Sequence, residues 1–506
     1  MRGGIKILVS WFLASQLFML TAFAKPDWPS DMGIQAEAGI VMDVDSGAVL
    51  FGQNIHSPYP PASITKILTA LIVLENGSLD DMVIFSDDAV NNVESDSGNK
   101  LNVEAGDQLS VEDCLYSLLL QSCNQAANAL AEYVAGSQEE FVRMMNEKIA
   151  ELGCTESHFD NPSGLNGDTQ YVSAYDMALI ARAAYSTPKL LEISSTVSRK
   201  LAPTVNNPSG LTVRNEHRLV KTDDPSSEFY YPPAVAGKTG WLLKAGNTLV
   251  TYAEQDGRRL VSVVLKGSPR QYFIDGKNLL EFGFSRFDNF SVKENEKDFA
   301  DAEESPAEEL PEGELSAGNP SDPGTVKIAG TSYNLDDLEL GQAGMITLPK
   351  GAEVSDADKV LITELPAGSP EGAVAMLQYT YNDRVVGQEY LMLKEGVLPP
   401  GQEAETLTGD EENEGAGTSG MVTSPQGTKT DPSMPKGFGK TVVGIGSVLV
   451  LAGAGIGFFV YTKKKERRAI KARREERLRR LKQDGEEEAF RKMLEQRRKS
   501  REKLNK

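Results

Sequence analysis

The stretch "PPASITKILTA", Pro60–Ala70, sets Ser63 three residues before Lys66 in a run that is otherwise apolar and helix-like. Residues three apart share one face of a helix, one turn above the other. A serine hydroxyl is a weak nucleophile until a neighbouring base takes its proton. Lysine serves as that base only when burial or a second cation lowers its pKa. The apolar setting "PASITKILTALIVL" supplies burial, and the second cation has to come from elsewhere in the chain. Spacing alone decides little, because Ser97 with Lys100, Ser186 with Lys189 and Ser433 with Lys436 repeat it. Ser97 and Lys100 flank Gly-Asn and the other two pairs enclose a proline, so none of them predicts a regular helix.

Two further motifs follow in order. "LLLQSCNQAANALA" places Ser122-Cys123-Asn124 at the junction of two apolar helical runs. "AVAGKTGWLL" places Lys238-Thr239-Gly240 after Gly237 on an expected strand. Glycines beside a Lys-Thr pair let a ligand backbone come close to the strand edge. Lys238 and the Thr239 hydroxyl suit a carboxylate, and Lys238 is the candidate second cation for Lys66. Each triplet arises easily by itself; the three in order point to serine acyl transfer.

Composition bounds the rest. Of 506 residues, 40% are hydrophobic, enough for a core, so wholesale disorder is excluded. The net charge of −21 is unevenly spread: residues 462–506 hold 20 Lys and Arg against 9 Asp and Glu, and the remainder 32 against 64. That split predicts two compartments. Residues 1–24 have a charged start, a short apolar middle and a small-x-small end at Ala22-Phe23-Ala24, the pattern of a secretory signal. Thr441–Tyr461 carries no charge, is long enough to cross a bilayer and is followed by Lys463, Lys464, Lys465, Arg467 and Arg468. Positive residues stay inside, so the expectation is one plasma-membrane span, a cytoplasmic tail (462–506) and everything before the span outside. "GAGIG", Gly453–Gly457, has the small-xxx-small spacing of helix pairs, the sole ground for a weak homodimer. His56, His158 and His217 fit no zinc pattern, so a metal hydrolase is not expected, nor any metal or cofactor. Cys114, Cys123 and Cys154 resemble no disulfide framework and read as free, mostly buried thiols. No nucleic-acid partner enters this reading.

Residues 35–292 read as the globular catalytic domain. "AGIVMDVDSGAVLFGQN" predicts a hairpin around Asp45-Ser46-Gly47, and "GNTLVTYAEQDGRRLVSVVLKG" another turning at Asp256-Gly257. Between them, Ser110 with Asp113 and Ser137 with Glu140 predict capped helix starts, and Gly153 a helix stop. Strands at both ends with helices between them predict an α+β layer arrangement, an antiparallel sheet with a helical region. An acidic, Pro- and Gly-rich linker follows at 293–324, expected to be extended or disordered. Short β-type runs over 325–396, among them "KVLITEL" and "GAVAMLQYTY", predict a small all-β domain. A polar stalk at 397–440 would span on the order of 35 Å as a flexible coil.

With these motifs in hand, the chain resembles the penicillin-binding serine-type D-alanyl-D-alanine carboxypeptidases of low molecular mass. "VMDVDSGAVLFGQN", "PASITKILTA", "VEDCLYSLLLQSCNQAANALAEYVAGS", "FVRMMNEKIAELG", "HFDNPSGL" and "VSAYDMALIARAA" resemble family blocks in the family's order, over roughly 37–284. The resemblance implies the penicillin-recognising serine transpeptidase and β-lactamase-like fold. It implies that Ser63 attacks the carbonyl between two terminal D-alanines of a peptidoglycan stem peptide and that Lys66 takes its proton. Ser122 would relay a proton to the leaving amine, and Asn124 would bond the substrate amide or hold Lys66. Lys238, Thr239 and Gly240 would receive the terminal carboxylate, with the backbone N–H groups of Ser63 and Trp241 as oxyanion hole. β-Lactams would act as inhibitors by acylating Ser63. The chain departs from the family at Cys123, where a small residue such as glycine is usual, and at Asn215-Glu216-His217, where many members have Asn-x-Asn. Cys123 reads as a small buried hydrophobe, and His217 as structural. A β-lactamase would need a glutamate-activated water, and no Glu-x-x-x-Asn segment lies between Ser122 and Lys238. A non-catalytic peptidoglycan-binding or sensor protein, and endopeptidase activity on cross-links, stay open as alternatives.

Overall fold

A computed structural model describes residues 25–93, 97–296, 303–304, 325–341, 344–366, 369–394 and 397. The expected signal at 1–24, most of the linker, the stalk, the span and the tail lie outside the described residues. Among the described residues, no helix is long and apolar enough to cross a membrane.

The first sheet is assembled from the two ends of the catalytic segment. Strands β1 (Ala38–Asp43) and β2 (Val49–Gln53) pair with β3 (Ala234–Leu242), β4 (Gly246–Gln255) and β5 (Arg258–Gly267) in the order β2-β1-β5-β4-β3, all antiparallel. Both expected hairpins form. At the second, Asp256 (φ +53°) and Gly257 (φ +78°) take the two positive-φ positions of a primed turn, which matches the strand twist.

β1 is buried along its whole length because the sheet is covered on both faces. Ile40 and Met42 point into a core shared with helices α1 (Lys66–Asn76), α2 (Val111–Leu120), α3 (Asn124–Ala135), α4 (Gln138–Glu151) and α5 (Ala174–Tyr185). Val41 points the other way, with Leu249 and Leu260, against helix α6 (Gln271–Arg286). The expected caps are in place, with Ser110 Oγ accepting from Asp113 N and Ser137 Oγ from Glu140 N. Gly153 follows α4 at φ +76°.

A second sheet follows α6 without a break. Its path runs from β6 (Phe287–Ser291) through β7 (Met345–Pro349), then β10 (Arg384–Leu393), β9 (Ala373–Tyr381), β8 (Asp358–Ile362) and Glu303–Glu304. Pairing is antiparallel except for Glu303–Glu304, which runs parallel to β8. Two sequence boundaries shift as a result. Phe287–Ser291, expected in the catalytic segment, pairs with the later strands. The start of the acidic stretch is also placed: Val292–Asn295 forms a helical turn capped by Ser291 Oγ, and Tyr379 Oη donates to Glu296.

The two sheets are fastened at Asp43, whose side chain is fully buried. One carboxylate oxygen accepts from the backbone N–H of Asp45 and Ser46, and the other accepts from Asn289 Nδ2 at 2.9 Å and from Arg258 at 3.4 Å. Arg258 also donates to the carbonyl oxygens of Gly283 and Phe287, and Ser46 Oγ meets Thr347 Oγ1 at 2.7 Å. Removing one partner of a buried ion pair strands the other. Asp43→Ala is therefore expected to lower unfolding stability by about 3–5 kcal/mol, read as a fall in the denaturant midpoint.

Candidate active site

The Ser63 segment is not the regular helix that its spacing suggests. Ala62–Thr65 form a 3₁₀ turn, and Lys66 is the first residue of α1. Side chains at i and i+3 eclipse in a 3₁₀ turn, so the change of helix type brings Ser63 and Lys66 closer. The turn is entered through Ala62 at φ +52°. Gly164 (φ +79°) makes room for it, since a Cβ there would stand 1.9 Å from Ala62 O.

Lys66 is wholly buried. Its ammonium donates to Ser63 Oγ at 3.0 Å, Asn124 Oδ1 at 2.8 Å and the Ser163 carbonyl at 2.5 Å. Burial holds its pKa well below the ordinary lysine value, and Lys238 nearby adds to the effect. Both depressors match those expected from the sequence.

Ser122 sits between α2 and α3 at φ +59°, a region that non-glycine residues seldom adopt. Its Oγ is buried without a protein partner. Cys123 is buried too, its thiol directed at Gln125 Oε1 and its pKa raised by burial. It is an unreactive small side chain, and all three cysteines are free and buried.

Lys238, Thr239 and Gly240 lie on β3, and Trp241 follows, its side chain exposed. A Cβ on Gly240 would stand 2.9 Å from Ser63 N and 3.1 Å from Ala62 Cβ, so glycine permits the contact between β3 and the nucleophile turn. Lys238 is 1% exposed, and its ammonium donates to Thr239 O at 2.9 Å. Burial pushes it down to about 8. It stands behind the cleft wall, whereas Thr239 faces the cleft. His217 packs against Gly237 and is neutral, held down to about 3 by burial. Its Nε2 lies 3.2 Å from the Val250 carbonyl, which can only accept, so this nitrogen carries the proton. That is a structural role.

A cleft of about 330 Å³ brings Ser63, Ser122, Asn124, Thr239, Gly240 and Trp241 together. Four residues near Ser63 were not assigned a role from the sequence. Ser163 supplies a carbonyl and Gly164 supplies space, both from the "HFDNPSGL" block. Lys100 and Glu216 line the cleft as an ion pair of 2.9 Å, a placement to which the Ser97–Lys100 spacing does not point.

The family model described as D-alanyl-D-alanine carboxypeptidase matches residues 24–268. D-alanyl-D-alanine carboxypeptidase DacC of Escherichia coli is 30% identical over 393 residues, covering 75% of this chain and 89% of that protein. The chain belongs to the D-alanyl-D-alanine carboxypeptidase family. DacB2 of Mycobacterium tuberculosis is 35% identical over 266 residues, 51% of this chain and 84% of that one. The crystal structure of penicillin-binding protein 5 from Haemophilus influenzae shares the fold, with a TM-score of 0.53 at 24% identity over 72% of this chain and 98% of that one.

In this D-alanyl-D-alanine carboxypeptidase, the partners of Lys66 determine what its neutral form can do. An ammonium uses all three N–H bonds on three acceptors; a neutral amine has two and a lone pair. The Ser163 carbonyl and Asn124 Oδ1 can only accept. The hydroxyl of Ser63 alone can turn its hydrogen toward the lone pair, so losing the lysine proton points the Ser63 O–H at the Lys66 nitrogen.

Two outcomes follow. Protonated Lys66 cannot accept, so the rate of Ser63 acylation is expected to rise with pH through a midpoint well below 10.5, measured as second-order acylation rate against pH. Gly164→Ala is expected to displace the Ala62–Ser63 turn and slow acylation by about a hundredfold, the cost of roughly 1 Å of misplacement.

Proposed function

We propose that the chain is a serine D-alanyl-D-alanine carboxypeptidase that removes the terminal D-alanine from peptidoglycan stem peptides and is acylated by β-lactams. The observation that carries the reading is the buried Lys66, which donates to three acceptors of which Ser63 Oγ alone carries a hydrogen that it could give back to a neutral amine.

Ser63 Oγ attacks the carbonyl carbon of the penultimate D-alanine as its proton passes to Lys66 Nζ. The developing oxyanion is met by the backbone N–H groups of Ser63 and Trp241, where losing one donor costs about a hundredfold or more. The C–N bond breaks as Ser122 relays a proton to the departing amine, giving free D-alanine and an ester on Ser63. Water then attacks the ester, its proton returns through Lys66, and the shortened peptide leaves. Asn124 holds Lys66, and Lys238 stands behind Thr239 and Gly240 as a positive charge that favours the substrate carboxylate. A β-lactam presents the same carbonyl with a leaving nitrogen that stays tethered, so its ester persists.

We further propose that the chain is exported and held in the plasma membrane by one span at 441–461, with the catalytic segment outside and the basic tail inside. The small β domain (325–396) and the stalk (397–440) would stand between them. The charge-free run before a Lys- and Arg-rich tail supports this topology.

Incubation of the full chain with benzylpenicillin is expected to give one lasting adduct by intact mass, absent in Ser63→Ala, together with D-alanine release from a D-Ala-D-Ala peptide. Destruction of the antibiotic without an adduct would establish a β-lactamase. Intact antibiotic with no adduct would leave a peptidoglycan-binding protein without activity.

A further inference from the structure

Among the described residues, the cleft around Ser63 presents two charged side chains, Lys100 and Glu216. Lys238 does not reach it directly, because its ammonium is buried and turned onto Thr239 O. Lys100 is therefore the cation that a bound anion would touch. Its Nζ donates to Gln121 O at 2.8 Å and to Glu216 Oε1 at 2.9 Å, leaving one of three N–H bonds for a ligand. Glu216 itself is fixed through its backbone N–H to Leu120 O at 3.0 Å.

The Lys100–Glu216 side chains are 36% and 40% exposed. Ion pairs in that range contribute little net stability, so Lys100 can change partners at small cost. The pair lines the same cleft as Thr239 and Gly240 of the Lys-Thr-Gly strand. Ser97 Oγ and Ser122 Oγ, both without hydrogen-bond partners among the described residues, line the same cleft.

We infer that Lys100 binds the terminal carboxylate of the substrate's leaving residue, with Glu216 as the counter-ion that it exchanges for that carboxylate. This rests on the carboxypeptidase reading and extends it. The carboxylate lies between the Thr239 hydroxyl and the Lys100 ammonium, with Lys238 reinforcing the field from behind the wall. Because Lys100 also holds the carbonyl of Gln121, binding the carboxylate braces the backbone that carries Ser122. Glu216 competes with the substrate for Lys100, so it weakens binding and speeds exchange.

The test compares a diacyl-L-Lys-D-Ala-D-Ala peptide with its C-terminal carboxamide, using the full chain in detergent. KM and kcat are measured for the acid, and Ki for the amide as competitor. Lys100→Met is expected to raise KM for the acid about tenfold, the loss of one charge-assisted bond, with kcat and the amide's Ki changing far less. Lys100→Arg restores KM. Glu216→Gln lowers KM for the acid, because the competing charge is gone. Lys100→Met weakening acid and amide alike, or Glu216→Gln raising KM, would show that the pair only braces Gln121 and overturn the inference. Wild-type chain that acylates with benzylpenicillin yet binds acid and amide equally would also overturn it. Wild-type chain that neither acylates nor releases D-alanine would instead overturn the carboxypeptidase reading.

Discussion

A lysine ammonium held entirely out of water is the constraint on which the site depends. Burying that charge is costly unless each N–H finds an acceptor. Lys66 finds its acceptors in three places: the turn before it, Asn124 at 58 residues' separation, and Ser163 at 97. Satisfying one charge thus gathers the nucleophile turn, the start of α3 and the loop before α5 to a single point. The charged form accounts for the assembly. The neutral form, which burial favours, accounts for the chemistry, because the same three partners then leave one direction for the lone pair.

Around that point the backbone is packed more tightly than side chains would allow. The nucleophile turn is wedged between Gly164 on one side and Gly240 on the other. Thr248 Oγ1, on β4, donates to Pro61 O at 2.9 Å and ties the turn's entry to the sheet. The sheet is in turn steadied from its far end, where the Asp43 carboxylate, Arg258 and Asn289 join β1 and β5 to β6. A site that works by aligning a lone pair with one hydroxyl needs this kind of frame, since small angular errors separate donor from acceptor.

What could be read from the sequence was what the chemistry dictates through side chains. That Ser63, Lys66, Ser122, Asn124 and Thr239 come together was legible from three motifs standing in order, and the Asp256-Gly257 hairpin because only certain residues accept positive φ. Ser163, although inside the "HFDNPSGL" block, gave no chemical signal, since it contributes a carbonyl that any residue possesses. Lys100 misled in the opposite direction. Its spacing from Ser97 has no meaning, and its actual partners, Gln121 and Glu216, lie 21 and 116 residues away. The 3₁₀ turn at Ser63 was hidden because the same residues suit either helix type, and the choice is made by contact with Gly164 and β3. Phe287–Ser291 looked like the end of one domain because its pairing partner, Met345–Pro349, comes much later in the chain.

Ser122 has a consequence beyond its hydroxyl. Holding a non-glycine residue at φ +59° in a buried connection costs on the order of 1 kcal/mol or more. Glycine would relax that backbone and, by this measure alone, make a sturdier protein. Selection for folding by itself would therefore favour erasing the side chain, so a serine that lines the cleft at this position answers to something other than stability.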